Sequence, residues 1–368
     1  MPTPKTLPSL PFDTLGDFAN TARLHPDGII DLSIGSPVDP TPGVIREALG
    51  GADDAPSYPT AYGTIELRRA IASWYERRRG VAGLDPSDIL PTIGSKEFIA
   101  GLPSWLDLGP GDVVVHPTAA YPTYAVGATL TRAKAVASDE PTEWPENTKL
   151  IWLNSPRNPD GTVLDAHSLR VAVTRARELG AVIAGDECYA EFGWSSPWQS
   201  QATPCILDPS VVGPDMRNVL SVYSLSKQSN LAGYRAGFVA GDREILSRLL
   251  TRRRHAGLIV PTPIQHAMEV AVSDDEHVIA QKRKYGSRRS MLGNALSSAG
   301  FRIDASDAGL FLWATRDEKA EQTLHWFAKR GLLVAPGELY SSTATRHIRL
   351  ALTATDDDIA TAARRITT

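Results

Sequence analysis

Five short apolar runs, set apart by helix-like segments, constrain this chain more than any other feature. They are Asp112-Val-Val-Val-His116, Leu150-Ile-Trp-Leu153, Ala181-Val-Ile-Ala184, Val219-Leu-Ser-Val222 and Ala236-Gly-Phe-Val-Ala240. A strand that is apolar on both faces must be covered on both faces. Between the runs, Asp165 to Leu179 reads as a helix with Leu169, Ala172, Val173 and Ala176 facing in. Further upstream, Leu67, Ala70, Ile71, Trp74 and Tyr75 share one helical face, and Thr64 is placed to cap its start. This alternation predicts an α/β fold with a mostly parallel sheet between helices. Such sheets bind ligands beyond the carboxyl ends of their strands.

After about Asp242 the pattern changes to long, charge-rich helical stretches, including Arg252-Arg-Arg254 and Lys282-Arg-Lys284. Two strand-like runs follow, Leu310-Phe-Leu-Trp313 and His347-Ile-Arg-Leu-Ala-Leu352. The expected organisation is an N-terminal segment, 1–40, packing on a small domain, then a large domain, 41–255, and a small α+β domain, 256–368.

Composition excludes several classes. With 368 residues the chain buries a sizeable core without a metal or disulfide staple. A net charge of −4 argues against a nucleic-acid partner held by bulk positive charge. The two cysteines, Cys188 and Cys205, make no disulfide framework, and the eight histidines show no paired metal-ligand spacing, so no metal is expected. No run approaches the roughly 18 apolar residues of a membrane span. Met1 to Pro11 holds four prolines and no apolar stretch, so it is no signal peptide. The expected location is cytoplasmic.

The chemistry-bearing motifs stand at the ends of the runs. Ser224-Leu-Ser-Lys227 leads into Asn230-Leu-Ala-Gly-Tyr-Arg235. A lysine there, with two hydroxyls before it and an arginine eight residues on, suits a Schiff-base nucleophile beside an anion site. Taken alone, a Ser-x-x-Lys is more often a surface turn. Asp186-Glu-Cys-Tyr189 offers a carboxylate for a pyridinium nitrogen and a phenol for a ring oxygen; its bland reading is a helix cap. Asn154-Ser-Pro-Arg-Asn158-Pro-Asp-Gly161 is turn chemistry, or else an amide that reaches the same ring oxygen. Gly94-Ser95-Lys96 opens a helix whose amides suit a phosphate, and Lys96 is the rival for the Schiff-base role. Tyr121, in Tyr121-Pro-Thr-Tyr124, offers an aromatic face for a flat ring, and Tyr124 is the alternative.

In this order these motifs resemble the fold-type I pyridoxal-phosphate aminotransferases of class I/II, from Ser33-Ile-Gly-Ser-Pro37 to Arg349. The resemblance implies a seven-stranded sheet and pyridoxal 5'-phosphate as cofactor. It implies that Lys227 condenses with the cofactor aldehyde and that Asp186 keeps the ring nitrogen protonated. Tyr189 and Asn158 would bind the ring oxygen, and Tyr121 would stack on the ring. Ser95, Lys96, Ser224, Ser226 and Arg235 would surround the phosphate. Tyr58 would reach the phosphate of a neighbouring subunit, making the protein a homodimer with a shared site. Arg349 and the backbone of Gly35 would hold the substrate carboxylate. Asp160 and Arg157 depart from the family's usual residues.

Within that family, Asp27 to Pro40, Ala184 to Tyr189, Leu225 to Leu231 and Leu310 to Arg316 resemble the actinobacterial N-succinyldiaminopimelate aminotransferases of lysine biosynthesis. Their substrate needs a distal basic or polar subsite; Arg23, Arg157 and Arg252 to Arg254 are candidates. The rivals are an aminotransferase for aspartate or aromatic amino acids, a pyridoxal-phosphate carbon–sulfur lyase, and a cofactor-binding regulatory module.

Overall fold

A computed structural model describes residues 15–368. Its centre is a seven-stranded sheet in the spatial order Ile89–Ile93, Ala236–Gly241, Val219–Ser224, Val182–Asp186, Thr148–Asn154, Val113–His116, Lys134–Ala137. Ala236–Gly241 runs antiparallel to both neighbours, and the other paired strands are parallel. The five apolar runs are all strands of this sheet. Ile89–Ile93 and Lys134–Ala137 complete it and are not legible as strands in the sequence. Lys134–Ala137 is an edge strand with no buried residue, so it lacks an apolar run.

Alternation along each strand divides the residues between two cores. Val113, Val115, Ile151 and Ile183 meet the helices Ile65–Arg79, Ala166–Glu178 and Thr262–Ser273. Val114, Leu150, Trp152 and Ala184 meet Gly94–Trp105, Thr123–Thr131 and Arg243–His255 on the opposite face. The caps follow from side-chain chemistry. The Thr64 side chain accepts from the Leu67 N–H at 3.2 Å, and Gly80 ends that helix in the left-handed region.

The chain past Glu276 builds a second core. Tyr285, Leu292 and Leu296 of the helix Glu276–Ser298 pack with Leu312, Ile348 and Leu350 of a four-stranded antiparallel sheet. Ile30–Asp31 pairs parallel with Leu332–Leu333, and Leu15 and Ala19 pack beside Leu333. Ala267, Met268, Ala271 and Val272 lie in the large core, so that core continues past residue 255. The boundary read from charge stops short because the apolar face of Thr262–Ser273, not its charge, decides which core it joins.

Register places the site. Asn154 pairs with Asp186, and Asp186 with Val222, two residues before Ser224. Three strand ends and the segments after them therefore converge on one edge.

Candidate active site

Lys227 sits in a single helical turn, Leu225–Gln228, at the end of Val219–Ser224. The Ser224 hydroxyl accepts from the Ser226 N–H at 3.2 Å and donates to the Ser226 hydroxyl at 2.9 Å, which fixes that turn. The Lys227 amine donates to the Gly35 carbonyl. Burial pulls its pKa down to about 8; Cys188 opposes the shift, while the Arg349 and Arg235 charges add to it. About a tenth of the amine is then neutral at pH 7, far more than for an ordinary lysine.

Asp186 is 5% exposed at the end of the next strand. One carboxylate oxygen accepts from the Cys188 N–H at 3.2 Å, and the other from the Tyr124 hydroxyl at 2.8 Å. Burial raises its pKa, and the hydrogen bonds from Cys188 and Tyr124 pull the other way. A buried carboxylate of this kind gains from a cation placed against it. Tyr189, also buried, lies edge-on to Phe311, and burial pushes its phenol well above the usual range.

Asn158 and Arg349 come from distant parts of the chain. The Asn158 N–H donates to the Asn154 side chain at 2.8 Å, which turns its own amide toward Arg349. Arg349 donates from Nη1 to the Asn158 amide oxygen at 2.7 Å and from Nη2 to the Ser33 carbonyl at 2.6 Å. Its guanidinium lies 3.9 Å from the Phe311 ring centroid and 4.5 Å from that of Tyr340. Nε is buried and has no partner among the described residues. Burial lowers the pKa of this cation, an electrostatic demand that a carboxylate ligand relieves.

The remaining expected residues fall into place unevenly. Arg235 lies against Gly94 at the start of the helix Gly94–Trp105. A Cβ on Gly94, whose φ is +69°, would meet Arg235 Nη2 at 2.5 Å. Ser95 is half-buried, with its hydroxyl 3.5 Å from the Cys188 thiol, and Lys96 on the same turn is exposed. Tyr121 is half-buried beside Tyr124, at 6.0 Å between ring centroids. Tyr124 itself is fully buried and stacks on Trp152, so it presents no open face to a flat ligand. Tyr58 is not brought to these groups; its side chain is wholly exposed.

Two unusual residues explain one another. Arg157 pairs with Asp160 at 2.7 Å and with Asp139 at 3.2 Å. Arg252 pairs with Asp107, Arg253 with Glu97 at 2.6 Å, and Arg23 donates to Asn20. These candidates for a distal subsite are therefore engaged elsewhere, and Arg254 is exposed. Sequence reasoning missed Phe311, Tyr340 and Ser33 around Arg349. Phe311 stands in a recognised strand, whereas Tyr340 follows a short turn with no periodic signal.

The arrangement offers an amine of lowered pKa, a buried carboxylate, an arginine over a glycine at a helix start, and a buried arginine fork. A flat pyridine aldehyde bearing a phosphate fits the first three features, and a substrate carboxylate fits the fourth. The fold and site define a pyridoxal-phosphate-dependent enzyme of fold type I. Residues 27–366 match the family Aminotransferase class I and II, and the chain belongs to that family. Its members depend on pyridoxal phosphate, act on amino and keto acids, and are typically dimeric.

Similarity extends over whole chains. The protein is 48% identical to a probable aminotransferase of Mycobacterium tuberculosis, over 98% of this chain and 86% of that one. It is also 48% identical to the 4-dedimethylamino-4-oxo-anhydrotetracycline transaminase OxyQ of Streptomyces rimosus, over 99% of this chain and all of that one. Among solved structures, a probable N-succinyldiaminopimelate aminotransferase from Thermus thermophilus matches with a TM-score of 0.83. It is 28% identical and covers 97% of this chain and 99% of its own. Among the described residues no helix is long and apolar enough to cross a membrane, and no cluster of metal-binding side chains occurs.

Proposed function

We propose that this aminotransferase moves an amino group between glutamate and the keto precursor of N-succinyl-LL-diaminopimelate, a step of lysine biosynthesis in the cytoplasm. The observation that carries the reading is the Arg349 fork, buried, braced by Asn158 and Ser33, and near enough to Lys227 for its charge to be felt there. A planar guanidinium in that setting suits an α-carboxylate bidentately. The likeness to the Thermus protein supports the choice of substrate.

In this reading Lys227 supplies the amine that holds the cofactor and then moves the proton at the substrate α-carbon. Its lowered pKa suits that exchange. Asp186 holds the proton on the ring nitrogen, and Tyr189 and Asn158 donate to the ring oxygen. Tyr121 covers one face of the ring. Ser95, Lys96, Ser224, Ser226 and Arg235 hold the phosphate, and Gly35 lines the carboxylate pocket. Tyr58 serves the phosphate of the neighbouring subunit in a homodimer. The cofactor supplies an electron sink for the carbanion; the protein supplies placement and charge.

A second reading follows from the match to OxyQ, which is 48% identical and spans both chains. It is a ketone carried on fused rings as the amino acceptor. The Arg349 fork does not separate the two readings, because the amino donor carries an α-carboxylate in both.

One experiment separates the two. The cofactor-loaded protein is mixed with N-succinyl-LL-diaminopimelate and 2-oxoglutarate, and glutamate is measured; in parallel, glutamate consumption is followed with a fused-ring ketone as acceptor. Rapid glutamate formation in the first mixture supports the lysine-pathway reading. Turnover only in the second discards it.

A further inference from the structure

We infer that Tyr124 is a positioning residue for the cofactor, acting through Asp186. The inference rests on the assignment of Asp186 as the carboxylate that meets the ring nitrogen.

The geometry has three parts. First, the Tyr124 hydroxyl donates to one Asp186 oxygen at 2.8 Å, while the Cys188 N–H donates to the other at 3.2 Å. Each carboxylate oxygen has two lone pairs, so each keeps one free for a ligand. Two donors on different oxygens fix the plane of the carboxylate as well as its position. Second, the hydroxyl cannot drift. Tyr124 is wholly buried in the helix Thr123–Thr131, and its ring stacks on Trp152 at 5.3 Å with 22° between planes. Trp152 belongs to the strand beside the one that carries Asp186, two residues before Asn154. Third, a buried carboxylate without donors would take up a proton to escape its desolvation. A phenol donor opposes that and keeps the carboxylate charged for a cationic ring.

Tyr124 therefore supports the ring nitrogen site through Asp186, while Tyr121, three residues earlier, is half-buried and left to meet the ring face.

The test is Tyr124→Phe, which keeps the ring and its stack but removes the donor. Apoprotein is titrated with pyridoxal phosphate, and the visible band, kcat and KM of the loaded enzyme are recorded. The dissociation constant for the cofactor should rise about tenfold, the lower range for losing a hydrogen bond to a charged group. The visible band should shift and kcat should fall, with KM changed by less than about threefold, because the substrate carboxylate is held elsewhere. Wild-type cofactor affinity and kcat in this variant would overturn the inference. Trp152→Phe is the control for packing: it thins the stack but leaves the hydroxyl bond, and cofactor affinity should stay near wild type. Equal loss in Trp152→Phe would also overturn the inference, since packing alone would then carry the effect. Asp186→Asn tests the underlying assignment: full cofactor affinity and activity there would remove the basis itself, whereas a crippled Asp186→Asn beside a normal Tyr124→Phe would remove only the role of Tyr124.

Discussion

Arg349 and Asn158 stand 191 residues apart in sequence, and their side chains meet at 2.7 Å. The contact joins the strand His347–Ala351 of the small sheet to the turn after Thr148–Asn154 of the large one. It ties the proposed grip on the substrate to the proposed grip on the ring oxygen.

That link predicts a divided outcome for Arg349→Leu. kcat/KM should fall by about a hundredfold or more, the usual loss when one partner of a buried charged pair is truncated. The visible spectrum of bound cofactor should persist. Loss of the spectrum would place Arg349 in the service of the cofactor or the fold.

The depressed pKa of Lys227 sets a pH dependence. The reactive form is the neutral amine, so its fraction rises with pH through the folded-state value, about 8, instead of the ordinary lysine value of 10.5. The rate at which apoprotein captures pyridoxal phosphate should climb with pH and reach half its maximum near pH 8. A climb centred above about pH 10, the range of a solvated lysine, would mean that the amine is not desolvated.

Arg79 and Glu187 form a buried pair at 3.1 Å behind Asp186, each almost wholly enclosed. Glu187 also accepts from the Ile206 N–H at 2.6 Å. Arg79→Met strands that carboxylate, and unfolding in urea should show a loss of about 3–5 kcal/mol. A change below about 1 kcal/mol would mean that Glu187 finds other partners.

Gly161 has a φ of +75°, and a Cβ there would collide with the Ala308 carbonyl oxygen. Gly161→Ala should therefore destabilise the protein by about 1–3 kcal/mol or more, read as a lower melting temperature. An unchanged melting temperature would show that the turn relaxes freely.

Much of this is legible in the chain because strand ends carry both the apolar signal and the chemistry. Asp186, Asn158 and Lys227 each follow an apolar run closely, and the parallel register brings those ends together. Arg157 and Asp160 are visible as departures, but their pairing is not, since it needs the turn that folds one back on the other. From sequence Tyr124 reads as a possible ring partner, because spacing does not say which side of a helix faces a ligand. The surroundings of Arg349 are hidden for a similar reason: Ser33, Phe311 and Tyr340 arrive from three distant segments. That Thr262–Ser273 packs into the large core is not legible, because charge density marks the surface of a helix and not its partner.

The central claim is that Lys227 is the amine that holds the cofactor. The most direct measurement is borohydride reduction of the cofactor-loaded protein, followed by peptide mapping of the modified lysine. The label is expected on Lys227, with none in the Lys227→Ala variant. Label on Lys96, or label that persists in that variant, would contradict it.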